Sequence, residues 1–132
     1  MKNSIKITFL LLVFYSLTLS TSYAQNYSEY QFKAGIIQRL AKYTNFPPEA
    51  FTSKDQRITL GILGNDPFGD VMDRVLRGRP VHGRYWKIKR VKEIKDLWGC
   101  HVVFVCKSER DKIADITAFC GKYPTLTIGD GL

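Results

Sequence analysis

Histidine is scarce in this chain, and the spacings that hold metals are missing. Of its 132 residues two are histidine, His82 and His101, and three are cysteine, Cys100, Cys106 and Cys120. Neither C-x-x-C nor H-x-x-x-H occurs among them, which argues against a zinc site, and no metal or other cofactor is expected. No Lys-Ser/Thr pair follows the second glycine of Gly64-Asn65-Asp66-Pro67-Phe68-Gly69, so this is not a loop that cradles nucleotide phosphates, and Asp66 would repel a phosphate there. No convergent set of acid, base and nucleophile is visible, so no enzyme is expected. Cys100 and His101 are adjacent, but neighbours on a strand point to opposite faces and cannot easily act as nucleophile and base. Repeats, low-complexity tracts and interdomain linkers are also absent.

Acidic residues are the minority, 12 against 20 lysines and arginines, for a formal net charge of +8. The first 24 residues are unlike the rest. Lys2 and Lys6 lead into a nearly unbroken apolar stretch over residues 7–19, and Ser22-Tyr23-Ala24 puts small residues two apart before Gln25. This is the pattern of a signal peptide, with cleavage expected after Ala24. About 13 apolar residues span only about 20 Å as a helix, short of a roughly 30 Å hydrocarbon core, so no stable membrane insertion is expected after cleavage. Removing Lys2, Lys6 and no acid leaves +6 on residues 25–132. In an exported, soluble domain such a charge suits anionic lipid, cell-wall polymer or an acidic protein face more than nucleic acid, and equally suits a surface that is charged only for solubility.

At 45% hydrophobic and 24% charged residues, the remainder fits one globular domain. Ser28 and Gln31 can form a capping box and Tyr27 can staple onto Phe32, which opens a helix whose Phe32, Ile36, Ile37, Leu40, Ala41 and Tyr43 are expected to face the core. Phe46-Pro47-Pro48 ends it. Residues 58–63 then read as a strand. Asp66 as N-cap and Pro67 at the first helical position start a helix that buries Val71, Met72, Val75 and Leu76 and ends at Gly78. Residues 85–91 form a second strand, 93–97 a short helix, and 100–105 a third strand apolar on both faces. Ser108 caps a helix ending near Cys120, and residues 125–128 are a fourth strand. The alternation implies an α/β fold of three layers, a mostly parallel sheet with helices on both faces, preceded by the N-terminal helix.

Three cysteines in an exported chain favour one disulfide and one leftover thiol. The third strand climbs about 20 Å and the helix after Ser108 descends about 18 Å, which returns Cys120 to the level of Cys100 and leaves Cys106 at the other end. Cys100 with Cys120 is the favoured pair, worth about 3 kcal/mol in the loop-entropy model, and three free thiols remain the alternative. The densest charge lies between Arg74 and Lys95. Within it Arg84, Tyr85, Trp86, Lys87, Lys89 and Arg90 form a basic, aromatic-bearing strand that suits a partner surface and equally suits an edge guarded against aggregation.

Several segments together resemble the YfiR-like family of bacterial periplasmic proteins. They run from Lys33-Ala34 through Ala41-Lys42-Tyr43 to Phe46-Pro47, then Leu60-Gly61-Ile62-Leu63-Gly64-Asn65-Asp66-Pro67-Phe68-Gly69 and Gly78-Arg79-Pro80-Val81-His82-Gly83-Arg84. Gly99-Cys100-His101-Val102-Val103-Phe104-Val105 and Leu126-Thr127-Ile128-Gly129-Asp130 complete the series. Their order and spacing, more than any one piece, carry the match. The resemblance implies a non-catalytic periplasmic regulator of cyclic-di-GMP signalling that binds the periplasmic region of an inner-membrane signalling protein, a diguanylate cyclase or a sensor kinase. The alternative is a soluble exported module that takes an anionic small molecule or cell-wall fragment through the basic strand and the Gly64 loop. A homodimer is left open. Two features depart from the family pattern. Family chains continue past Gly129-Asp130 through a turn, a strand and a helix, so residues 25–132 are expected to be a C-terminally incomplete domain. Cys100 matches a family cysteine, but the strand position of its expected partner is Gly61.

Overall fold

The computed structural model describes residues 1–131, and the side chains among them outside 13–28. Helix α1 (Lys2–Tyr43) is followed by strand β1 (Ile58–Leu63), α2 (Val71–Leu76), β2 (Trp86–Val91), β3 (Val102–Val105), α3 (Ile113–Cys120) and β4 (Leu126–Gly129). Short 3-10 turns at Pro48–Ala50, Ile94–Leu97 and Lys107–Lys112 join them. The four strands form one sheet in the order β2-β1-β3-β4, and every pairing is parallel. The expected three-layer α/β architecture is therefore present, with a wholly parallel sheet. Among the described residues no helix is long and apolar enough to cross a membrane.

Two cores lie on opposite faces of the sheet. Alternate residues Ile58, Leu60 and Ile62 of β1 and Val102 and Phe104 of β3 pack under α1 and α2, with Ala34, Ile37, Ala41, Phe68 and Met72. Leu63, Val103 and Val105 point the other way, onto Leu97, Ile116, Cys100 and Cys120. The period of two along each strand makes this division. Both faces are covered, so the central strands β1 and β3 are almost continuously apolar.

The helices depart from expectation in three places. On α1 the buried stripe is Ala34, Ile37 and Ala41, while Phe32 and Tyr43 are 70% and 80% exposed and Ile36 and Leu40 lie at the surface. The helix is apolar around much of its circumference, and periodicity alone does not choose the inward arc. The small Ala34 and Ala41 permit close packing against the sheet and α2. The capping box at Ser28 and the Tyr27 staple involve side chains outside the described residues. Second, Asp66 does not cap α2. Its Oδ1 accepts from the Phe68 amide at 2.8 Å in a local turn, Gly69 follows at φ +53°, and the helix begins after Asp70. Third, Ser108 stands in a 3-10 turn instead of capping α3, because its Oγ accepts from the Asn65 amide across the sheet end at 2.9 Å. The third strand also starts later than expected. Cys100 closes the preceding turn through its amide to Leu97 O, and Gly99 at φ +78° redirects the chain.

Candidate functional site

The sheet has a carboxyl end, where open α/β folds often bind ligands, and two edges. The order β2-β1-β3-β4 places the topological switch between β1 and β3, at Gly64-Asn65 and the turn after Cys106. That crevice is filled by the protein itself. A Cβ at Gly64, which sits at φ +103°, would lie 2.5 Å from Ser108 Oγ and 2.7 Å from Glu109 Cγ. Lys92 Nζ donates to Gly64 O and Asn65 Oδ1, both at 3.0 Å. With Ser108 bonded to Asn65 as well, the Gly64 loop works as a joint between strands, and an anion would have to displace these contacts.

Beside the joint, charges are matched internally. Lys33 Nζ on α1 lies 2.7 Å from Asp130 Oδ1 just past β4 and 2.5 Å from Glu29. Asp130 is only 2% exposed, and Tyr30 Oη donates to its other oxygen at 3.3 Å. Hydrogen bonds to Asp130 and then Glu29 raise the Lys33 pKa, so the ammonium is held charged. This clasp fastens the first helix to the end of the last strand. Arg90 does the same at the end of β2, with Nε 2.6 Å from Asp66 and Nη2 2.7 Å from Asp73. Its pKa is raised, by Asp66 first.

The six residues expected at the partner surface are dispersed by these contacts. Arg84 Nη1 donates to the carbonyls of Ser53, Lys54 and Gln56, and its guanidinium lies 3.8 Å from the Phe51 ring centroid. Trp86 is buried and donates Nε1–H to Arg79 O at 3.0 Å. Lys89 Nζ reaches Asp96 O at 2.6 Å, and Arg90 is held by its two aspartates. Lys87 and Tyr85 face solvent, Tyr85 at 61% exposure. Around them the fold gathers cations from elsewhere. A cleft of about 290 Å³ on the α2 side of β2 is lined by Arg57, Arg77, Tyr85, Trp86, Ile88 and Asp73. Neither Arg57 nor Arg77 has an acidic partner among the described residues, because Asp73 is already bonded to Arg90. Arg57 carried no signal in the sequence. It precedes β1, and only the register Ile58↔Trp86 sets it beside Tyr85.

The cysteines and histidines are interior groups. All three thiols are free and buried. Cys100 and Cys120 share the core on the α3 side, whereas Cys106 belongs to the other. Burial raises all three pKa values, that of Cys106 to about 12, so none is a ready thiolate at neutral pH. A Cβ at Gly61 would come 2.8 Å from Cys100 Sγ, so the position expected to hold a partner cysteine does face Cys100. His101 points away from that sulfur and stacks on Phe51 at 4.3 Å. Its Nδ1 accepts from the Thr59 amide at 3.0 Å, which leaves Nε2–H to donate to Ala50 O at 2.9 Å. Burial lowers its pKa and keeps this tautomer neutral. His82 Nε2 lies 3.0 Å from Thr44 O. Among the described residues no group of His, Cys, Asp and Glu is arranged to hold a metal ion.

A family model described as YfiR/HmsC-like matches residues 30–132. No curated protein and no solved structure matches the chain.

Proposed function

Because the chain belongs to the YfiR/HmsC-like family, we propose that it is a periplasmic, non-catalytic regulator in cyclic-di-GMP signalling, acting by binding the periplasmic region of an inner-membrane diguanylate cyclase or sensor kinase. The observation that carries the binding role is the outer edge of the sheet. Exposed Tyr85 stands there beside Arg57 and Arg77, which have no acidic partner among the described residues, and exposed Lys87 projects from the opposite face of the same strand. Such a surface favours an acidic protein face, since unscreened charge speeds encounter and selects the opposite sign. The closed Gly64 joint weighs against the alternative of an anion-binding module. Export would proceed by removal of residues 1–24, and N-terminal sequencing of periplasmic material should begin at Gln25.

The test is a binding titration of the purified protein against the periplasmic region of the membrane signalling protein encoded beside it. Saturable binding that weakens as salt rises supports the reading. No binding at tens of micromolar in low salt, by a protein with native circular dichroism, overturns it.

A further inference from the structure

The backbone of β2 is half used. Tyr85 and Val91 turn their carbonyls toward β1, accepting from the amides of Ile58 and Gly64 at 3.0 Å each. By the two-residue repeat of a strand, the amides and carbonyls of Trp86, Ile88 and Arg90 point the other way, off the sheet. Among the described residues β2 has β1 as its one neighbouring strand. Edge strands are often closed by lysines or arginines projecting from the rim. Here Lys89 is drawn to Asp96 O and Arg90 to Asp66 and Asp73, which leaves Lys87. The cleft with Arg57 and Arg77 runs along the same edge.

We propose that β2 takes up an extended acidic segment of the partner protein as a fifth strand. This rests on the regulator reading above for the partner's identity and specifies how the partner is held. An added strand lies about 4.8 Å from β2 and sets every second side chain, about 6.7 Å apart, over the cleft. Aspartate or glutamate at those positions meets Arg57 and Arg77, while Tyr85 and Ile88 supply apolar contact. Hydrogen bonds to Trp86, Ile88 and Arg90 give affinity independent of side chains, and the arginines select for acid. A second copy of this chain is a poor occupant, because pairing β2 with β2 would set Lys87, Arg57 and Arg77 against their own kind.

The probe is a synthetic six-residue peptide alternating valine with aspartate or glutamate, compared with the same peptide carrying lysine at the acidic positions. Its binding to the isotopically labelled protein is followed by NMR, with amide hydrogen exchange read residue by residue. The acidic peptide should slow exchange at Trp86, Ile88 and Arg90 and bind at least tenfold more tightly than the lysine peptide. Arg57→Glu with Arg77→Glu should remove that preference. Ile88→Pro deletes an outward donor without touching the ladder to β1 and should abolish binding; because Ile88 also packs on the core, the variant is compared at a temperature where its circular dichroism is native. Equal binding of both peptides, or protection elsewhere than these three amides, overturns the proposal. The membrane protein's periplasmic region separates the two readings. If it binds wild type and Ile88→Pro equally, the regulator stands and strand addition fails; if only the acidic peptide binds, strand addition stands and the regulator fails.

Discussion

The cations of this molecule behave differently at the carboxyl end of the sheet and at its outer edge. At the carboxyl end Lys33, Arg90 and Lys92 each meet an acid or a carbonyl, and they tie α1, β4, β2 and the Gly64 joint together. At the edge Arg57, Arg77 and Lys87 have no acidic partner among the described residues. The two sets are the same residue types at similar density along the chain. What separates them is whether the fold brings an acid or a carbonyl oxygen within reach, so a basic run in a sequence counts charges without saying which are available to a partner. Substitutions in the first set should act on stability, and those in the second on binding alone.

The comparison is sharpest in a protein whose core cannot loosen. Gly61→Cys should provide one by crosslinking to Cys100, since the Cβ position lies 2.8 Å from that sulfur, close to the separation across a disulfide. Closing a loop of about 40 residues should stabilise by about 4 kcal/mol in the entropic model, visible as a rise in melting temperature that reductant removes. In the native protein, non-reducing peptide mapping should find Cys100, Cys106 and Cys120 unlinked, which leaves Cys100 available to the new cysteine; a Cys100–Cys120 bridge would compete with it.

Breaking the clasp comes next. Lys33→Met leaves the buried Asp130 carboxylate with Tyr30 as its remaining side-chain donor, and should cost about 3 kcal/mol in urea unfolding. Arg90→Ala removes two ion pairs that are partly solvated, so a loss of about 1 kcal/mol is expected. A smaller effect depends on pH. The folded His101 pKa lies below the ordinary 6.5, so folding favours the neutral ring. That contribution is complete above about pH 6.5, the unfolded value, and falls away as pH drops toward the lower folded value. Melting temperatures measured between pH 7.5 and 5 should decline less in His101→Gln than in wild type. Smallest is Arg57→Glu with Arg77→Glu, which should change stability by no more than about 0.5 kcal/mol yet weaken partner binding most at low salt. If this pair destabilises as Lys33→Met does, the edge cations are structural and the contrast between the two regions disappears.

Local pattern made the strands legible. β1 and β2 match expectation within a residue, because a short apolar run in β1 and the alternation of Trp86 and Ile88 with Lys87 and Lys89 in β2 report a strand without reference to the rest of the chain. The alternation of strand and helix also determined the parallel, two-faced architecture, since a parallel neighbour requires a crossover. The helix details were not legible in the same way. Asp66 and Ser108 have the chemistry of N-caps, but Asp66 is held by a local turn to Phe68 and by the distant Arg90, and Ser108 is diverted by the distant Asn65. On α1, two apolar arcs compete, and the sheet accepted the one with small residues. The candidate site depended still more on tertiary structure. The sequence by itself determined that a basic, aromatic strand exists; tertiary structure alone decided that Arg84, Trp86, Lys89 and Arg90 are engaged internally and that Arg57 joins Arg77 and Tyr85 at the edge. Periodicity is a property of neighbours along the chain, whereas the pairing of a charge depends on which acid the fold carries to within about 3 Å of it.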